Sequence, residues 1–455
     1  MRLHLYAAAG VAAWRCRRSI HRFGIAILAL SAWGAVPGHA QEKRPIEPVD
    51  QFLLRAVGAP VVSPEGGWIA YTVGRTSHEE ERSYSRIYMV SSEGGEPLAL
   101  TAEGTSAGSP EWSPDGRYIT FTASRAEGKN QVWALDRRGG EAFRLTDVPQ
   151  GISAYRWSPD GTKLLLTIRD EEEDDPEEKE NAPPDPWVIE RLQFKRDNQG
   201  YLTGDRKTHL YVYELHTKEL RQLTKGPWDE SLGVWSPDGT RIAFVSNRTA
   251  EPDGNSNDDI WIVPADLEEP TESPQRVTAG VGSDGSPTWS PDGRWIAHTT
   301  DLRPDLIWYA TTHLATTPAT GGATTVLTEN LDRNVSSPRV SADGDWIWFR
   351  LEDSGENHVA RVRTDGSALE RLVSGPLAAG GFDWSSGTFA VQISMLDRPG
   401  EIYVVDGLGD GSGTGAPEAR PVRLTGHNDP FLDTVRIADT RNVQFESEDG
   451  IEIEG

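Results

Sequence analysis

The sequence predicts an all-β fold in which one four-stranded antiparallel unit repeats around a ring, and three observations predict it. First, Trp-Ser-Pro-Asp-Gly occurs four times, at 112–116, 157–161, 235–239 and 289–293, with degenerate copies at 63–66, 341–344 and 384–387. Second, the corresponding serines of these seven copies lie 50, 45, 78, 54, 51 and 44 residues apart, so all but one interval approximates a four-stranded blade. Third, every copy enters a short apolar run, and most units close on Leu-Thr or Val-Thr. Regularly spaced antiparallel strands suit a sandwich, a barrel or a propeller. Repetition of one unit near 50 residues selects a seven-bladed β-propeller of four-stranded antiparallel blades, over residues 58–430.

The grammar is clearest between Ser109 and Thr146. A strand ends at Trp112, the Ser113-Pro114-Asp115-Gly116 turn follows, and strands then run over 117–123, 131–136 and 142–145. Proline presets φ at the first central position of the turn, aspartate suits the second, and glycine takes the left-handed position that joins two antiparallel strands. After the turn, Ile119/Phe121, Leu164/Leu166, Ile242/Phe244, Trp295/Ile296 and Ile347/Phe349 supply the apolar face of each second strand. Those faces are expected to pack blade against blade. The fourth-strand endings are Leu100-Thr101, Leu145-Thr146, Leu223-Thr224, Val277-Thr278, Leu327-Thr328 and Leu424-Thr425, and Gly94-Gly95, Gly139-Gly140 and Gly321-Gly322 turn the chain before them.

Other segments depart from the repeat. Residues 1–40 read as an export signal: Arg15, Arg17, Arg18 and Arg22 form a basic region, 23–36 an apolar stretch, and Gly38-His39-Ala40 a cleavage site before Gln41. The expected location is therefore periplasmic or secreted. No other apolar run is long enough to cross a bilayer, so no membrane association is expected after cleavage. Residues 41–57 are a lead-in. The 78-residue interval holds an insertion at 170–207, with an acidic run at 170–180 followed by Asn181-Ala182-Pro183-Pro184-Asp185-Pro186. Self-repulsion and prolines make it a solvated loop, or a charged gate on one face. Gly407–Gly415 is a Gly-rich surface loop.

Charge and cysteine content narrow the function. The net charge is −25, and the signal carries five arginines and no acid, so cleavage leaves a still more acidic chain. Such a body repels phosphate backbones, which excludes nucleic acid as a partner. The one cysteine, Cys16, lies within the signal, so no disulfide holds the mature chain.

Few residues present themselves as chemistry. Gly104-Thr105-Ser106-Ala107-Gly108 matches a nucleophile elbow, which works only where a strand turns sharply into a helix. Ser106 instead follows Leu100-Thr101 and precedes the strand into Trp112, so it reads as an inter-blade loop. Asn255, Asn257, Asp258 and Asp259 lack the alternating spacing and closing carboxylate of a calcium loop and read as a polar hairpin tip. The histidines are scattered, with no pair at ligand spacing. His427 reads as loop structure rather than a general base. Trp112, Trp157, Trp235 and Trp289 occupy equivalent repeat positions, which means packing. No phosphate-binding loop or dinucleotide fingerprint occurs, so no metal, cofactor or catalytic residue is assigned.

The Ser-Pro-Asp-Gly turn, the Ile-Ala-Phe type of strand and the Leu-Thr ending together resemble the propeller of the prolyl oligopeptidase family of serine peptidases. The likeness is to its acylaminoacyl peptidase and dipeptidyl peptidase branch. Three further segments carry it: the lead-in Glu47–Val57; Arg191–Leu202 with Thr208–Val212, which is similar to that branch's extended blade; and Val443–Gly455, which resembles the first hairpin of its hydrolase domain. The resemblance implies a propeller that caps the active site of an α/β-hydrolase domain, where Ser, Asp and His follow in that order. Peptides short or unfolded enough to pass the cap are the implied substrates, and enclosure excludes folded proteins and water. Residues 431–455 are then a linker and the start of that domain. The expectation is that the catalytic part lies outside these 455 residues and that the chain alone is inactive. A self-sufficient periplasmic propeller presenting loops to a protein partner, similar to that of the Tol system, is the alternative. A propeller enzyme with its site in the central tunnel lacks a converging acid, base or metal cluster. Specificity, exo- or endopeptidase action and homo-oligomer formation stay open.

Overall fold

A computed structural model describes residues 43–125, 128–171, 189, 191–197, 200–201, 206–409 and 420–454. The signal and its cleavage site, most of the acidic run, the Pro-rich stretch after it and most of the Gly-rich loop lie outside these residues. Among the described residues no helix is long and apolar enough to cross a membrane.

Each turn motif sits at the start of one four-stranded antiparallel group. Gly108–Trp112, Tyr118–Ala123, Gln131–Asp136 and Phe143–Arg144 pair in sequence order. The same order holds for the groups over 154–222, 231–276 and 284–326. The last two groups, over 335–373 and 378–423, are joined into one sheet by a single parallel contact of Asn357 with Ala378. In the first group the inner strand is split: Ala56–Val57 pairs with Val73–Gly74, and Val61–Val62 with Ile69–Ala70. The repeated body thus starts two residues before the boundary expected at 58.

The turn chemistry follows the expected logic. Ser113 Oγ donates to Asp115 Oδ1 (2.5 Å) and accepts from the amide of Tyr118 (2.9 Å), while the Gly116 amide donates to the Ser113 carbonyl (2.8 Å). The motifs of Ser158, Ser236, Ser290 and Ser341 repeat the Ser–Asp bond. Glycine is required because φ at Gly161 is +71°, and a methyl there would lie 3.5 Å from Pro114 of the preceding turn. Gly239, Gly293 and Gly344 stand the same way against Pro159, Pro237 and Pro291. The series closes on itself: Ser385 and Ser386 donate to the Pro64 carbonyl, and Thr388 to that of Gly66.

Packing is denser than a one-faced strand pattern implies. In Arg241–Ser246, Ile242 and Phe244 pack toward the preceding group while Ala243 and Val245 pack toward the next. Alternate residues of one strand therefore fill two different cores, and both faces are buried. Every core cluster spans one junction between neighbouring groups, including the junction of the last with the first, where Ala390 and Ile402 meet Ile69, Tyr71 and Val90. The tryptophans tie these junctions: the indole N–H of Trp112 donates to the Val61 carbonyl (3.0 Å) and that of Trp289 to Val234 (3.3 Å). Register shifts at 108/111, 231/234, 285/288 and 336/339 mark bulges in the inner strands, where Ser109, Leu232, Ser286 and Ser337 adopt φ near +50°.

Candidate functional site

The antiparallel order gives the ring two unlike faces. The Ser-Pro-Asp-Gly and Gly-Gly turns lie on one. The other collects the crossovers between groups and the connections from second to third strands. The 170–207 insertion joins Lys163–Arg169 to Thr208–Glu214, so its root is on this crossover face. So are both ends of the repeated body. Arg44–Pro45 of the lead-in pairs in parallel with Val435–Arg436, and Lys43 Nζ donates to the Leu432 carbonyl (2.8 Å). Arg44 grips Asp50 with two bonds of 2.7 and 2.6 Å, and this guanidinium together with the Glu47 amide holds the Asp50 carboxyl down at about 2. Asn428 clasps the Arg55 backbone from the other side. Beyond this link, Gln444–Glu446 and Glu452–Glu454 form a separate hairpin.

The five most exposed large apolar side chains among the described residues are Tyr309, Leu192, Val281, Leu396 and Ile307, each at least 67% exposed. All belong to crossover-face connections. The turn face shows no comparable set among the described residues.

Beneath this face runs a ring of polar corners. The threonine of the Leu-Thr ending accepts a hydrogen bond from a third-strand amide: Thr146 from Val132, Thr224 from Leu210, Thr278 from Ile260, Thr328 from Leu314 and Thr425 from Ile402. The residue before each of those amides is polar and buried, namely Gln131, His209, Asp259, His313 and Glu401; the sixth group places His358 there. Gln131 and Glu401 accept the threonine proton at 2.8 and 2.5 Å. These corners satisfy backbone groups where strands end inside the ring. Three of the ten histidines, His209, His313 and His358, thus occupy one repeat position in three separate groups.

The corner at the insertion is the most highly charged. Glu230 is fully buried and accepts from Thr224 Oγ1 (3.1 Å), from His209 Nδ1 (2.7 Å) and from Arg248 (2.6 Å). Arg248 lies 4.6 Å above the centre of the Trp228 ring. Burial opposes the His209 cation, but the Glu230 hydrogen bond and charge, with Asp170 and Asp229, outweigh it and raise the pKa. His209 Nε2 stands 3.6 Å from Asp170, whose carboxylate and carbonyl also hold Lys207 N and Arg206 Nε. The two strands of the insertion are thus cross-braced at its root.

The sequence candidates fare as follows. Ser106 is exposed in a loop between two strands, with no helix after it, so the elbow geometry is absent. Asn255 is committed within its hairpin, donating to Thr249 and Glu251 and accepting from Asn247 and the Asn257 amide. Asp258 and Asp259 are raised in pKa by burial, and Arg276 sits 2.6 Å from Asp259. Among the described residues no three potential ligands converge on a metal position. His427 Nε2 meets the Tyr71 hydroxyl at 2.9 Å and packs edge-on against Tyr88; burial, opposed by Glu401, lowers its pKa.

No protein-family model matches the chain. It is 27% identical over 224 residues to the uncharacterized peptidase YuxL of Bacillus subtilis, an alignment covering 49% of this chain and 34% of that one. It is 28% identical over 265 residues to dipeptidyl-peptidase 5 of Porphyromonas endodontalis, covering 54% and 37%. The chain thus matches about a third of the length of these relatives. Among solved structures it is similar to an acylaminoacyl peptidase in complex with Z-Gly-Gly-Phe-chloromethyl ketone, with TM-score 0.67 at 18% identity over 89% of this chain and 57% of that one. It also superposes on the β-propeller domain of the trilobed protease from Pyrococcus furiosus, with TM-score 0.54 at 17% identity over 83% and 97%. That domain is described as having an open velcro topology. In this chain the first and last groups each use one continuous stretch, over 56–99 and 378–423, and meet through side-chain packing and side-chain hydrogen bonds.

Proposed function

We propose that this chain, which is similar to the N-terminal propeller part of prolyl oligopeptidase-family peptidases, is a seven-bladed propeller that gates access to the active site of an exported serine peptidase acting on short peptides. One observation carries the reading. The crossover face holds the exposed apolar side chains, the root of the insertion, and the point from which the 431–454 segment departs. Exposed apolar side chains concentrated on one face of an otherwise acidic body mark a surface that another body covers. In this reading an α/β-hydrolase domain begins with the Gln444–Glu454 hairpin and supplies Ser, Asp and His, and the insertion stands at the rim between the two parts. Enclosure of that kind selects substrates by size and keeps water from the reaction.

The test compares the 455-residue chain with a protein extended through the downstream reading frame. Only the extended protein is expected to cleave dipeptidyl and acyl-aminoacyl substrates. Deleting 172–205 from it is expected to raise activity on longer peptides more than on dipeptides. Peptidase activity in the short form would overturn the gating role. Export predicts a mature protein that begins at Gln41, checked by N-terminal sequencing.

A further inference from the structure

We infer that the crossover face carries a second ligand site, a carboxylate-binding cleft between the first two blades, suited to the carboxyl group of a peptide. The cleft has a volume of about 630 Å³. One wall is Ala102 with Gly104–Gly108 of the crossover, the latter the match to a nucleophile elbow, while Glu103 pairs with Arg75 and does not line the cleft. The other wall comes from Arg82, Arg125 and Asn130, and none of the described residues that line the cleft is acidic. In a chain with 70 acidic and 45 basic residues, a concave site whose described lining has two arginines and no acid stands apart.

The two arginines are available to a ligand. Neither forms an ion pair among the described residues, whereas Arg117, Arg137 and Arg138 on the turn face all do. Arg125 is oriented by stacking: its guanidinium carbon lies 4.3 Å from the centre of the Trp133 ring and 5.8 Å from that of Phe121. Stacking fixes the plane of the fork, whose geometry matches a planar, two-oxygen acceptor. Arg125 Nε is buried and has no hydrogen-bond partner, an unmet donor of the kind a ligand oxygen satisfies. Thr105 anchors the opposite loop by donating to the Ala102 carbonyl (3.0 Å), and Ser106 is left exposed beside the cleft with its hydroxyl open. The cleft is thus lined by a charged fork, a second cation and a hydroxyl.

The experiment needs no peptidase activity, so it stands apart from the gating proposal. The 455-residue chain is titrated calorimetrically with Ala-Ala-Ala as the free acid, with its carboxamide, and with inorganic phosphate. The free acid is expected to bind at least tenfold more tightly than the carboxamide, and binding is expected to weaken as salt rises. Arg125→Gln and Arg82→Gln should each weaken it about tenfold. Ser106→Asp, a change on an exposed loop, places a like charge in the cleft and should abolish binding without altering the fold. Equal binding of acid and carboxamide, phosphate binding without tripeptide binding, no binding at millimolar tripeptide, or unchanged affinity in Ser106→Asp would each overturn the assignment.

Discussion

Replacing Glu230 with Gln tests the charged corner at the root of the insertion. The side chain is fully buried, and its carboxylate has three partners within 3.1 Å: Thr224, His209 and Arg248. Glutamine keeps the volume but leaves the Arg248 guanidinium, itself only 4% exposed, without a counter-charge. Removing one partner of a buried pair costs about 3–5 kcal/mol. For a cooperative unit of roughly 400 residues, with an unfolding entropy near 2.1 cal/mol/K per residue, about 4 kcal/mol lowers Tm by about 5 °C. Part of the loss depends on pH. The folded pKa of His209 is raised, so its pairing contributes fully below the unfolded value of about 6.5 and fades as pH rises through the folded value. The deficit of the variant is therefore largest near pH 6 and smaller, though still present through Arg248, at pH 9. Urea unfolding at both pH values measures it, and adding Arg248→Met should recover part of the loss by removing the stranded cation. A deficit below about 1 kcal/mol that is the same at both pH values would falsify this account of the corner.

Three other outcomes follow from the repeat itself. Asp238 and Asp292 are held at about 2 by the Ser236 and Ser290 hydroxyls and by nearby amides; their contribution is present above the unfolded value near 4 and is lost as pH falls toward 2, so Asp238→Asn should flatten the acid limb of stability measured by fluorescence. Gly161→Ala forces a side chain to φ +71° against Pro114 and should cost about 1–2 kcal/mol in urea unfolding; a neutral result means the turn relaxes freely. Ser106→Ala should leave the fold unchanged, within about 0.5 kcal/mol in urea unfolding, and a larger loss contradicts the exposed-loop assignment of that serine.

The repeat made much of the architecture legible because turn geometry is local. Ser, Asp and Gly of one motif bond within five residues of each other, so composition and order suffice to read them. The Leu-Thr ending was visible as a strand signature, but its use was not: Thr146 acts on Val132, 14 residues away, and that pairing exists only once the third and fourth strands align. The same alignment brings His209, His313 and His358 to one position. Thr208-His209-Leu210 and Thr312-His313-Leu314 carried the signal, since each precedes a Leu-Thr or Val-Thr ending by a similar distance. Burial of the second strands on both faces was hidden because small residues such as Ala243 and Ala297 alternate with large ones and imitate an exposed face. The inner-strand bulges had a trace in Ser109-Pro110, Ser286-Pro287 and Ser337-Pro338, since proline within a strand marks an irregular or unpaired position.

The two faces differ in how their connections pack. On the turn face, Gly161, Gly239, Gly293 and Gly344 each sit within van der Waals reach of the proline one turn earlier, so a longer loop there would displace its neighbour. The crossover face confines close packing to single positions among the described residues, such as Gly151 against Lys129 and Gly282 against the Asp301 carbonyl, with no proline-to-glycine series. Its connections end at the threonine corners, which tie down the strands and leave the intervening chain free to vary in length and charge. The surplus of the 78-residue interval lies there, braced at its root by Asp170, His209 and Glu230. The lead-in and the 431–436 segment are held together on the same side through Lys43, Arg44 and Asn428. Under the proposed function, a domain following residue 436 would meet the crossover loops rather than the interlocked turns, and the rigidity of the repeat would keep those loops in register with it.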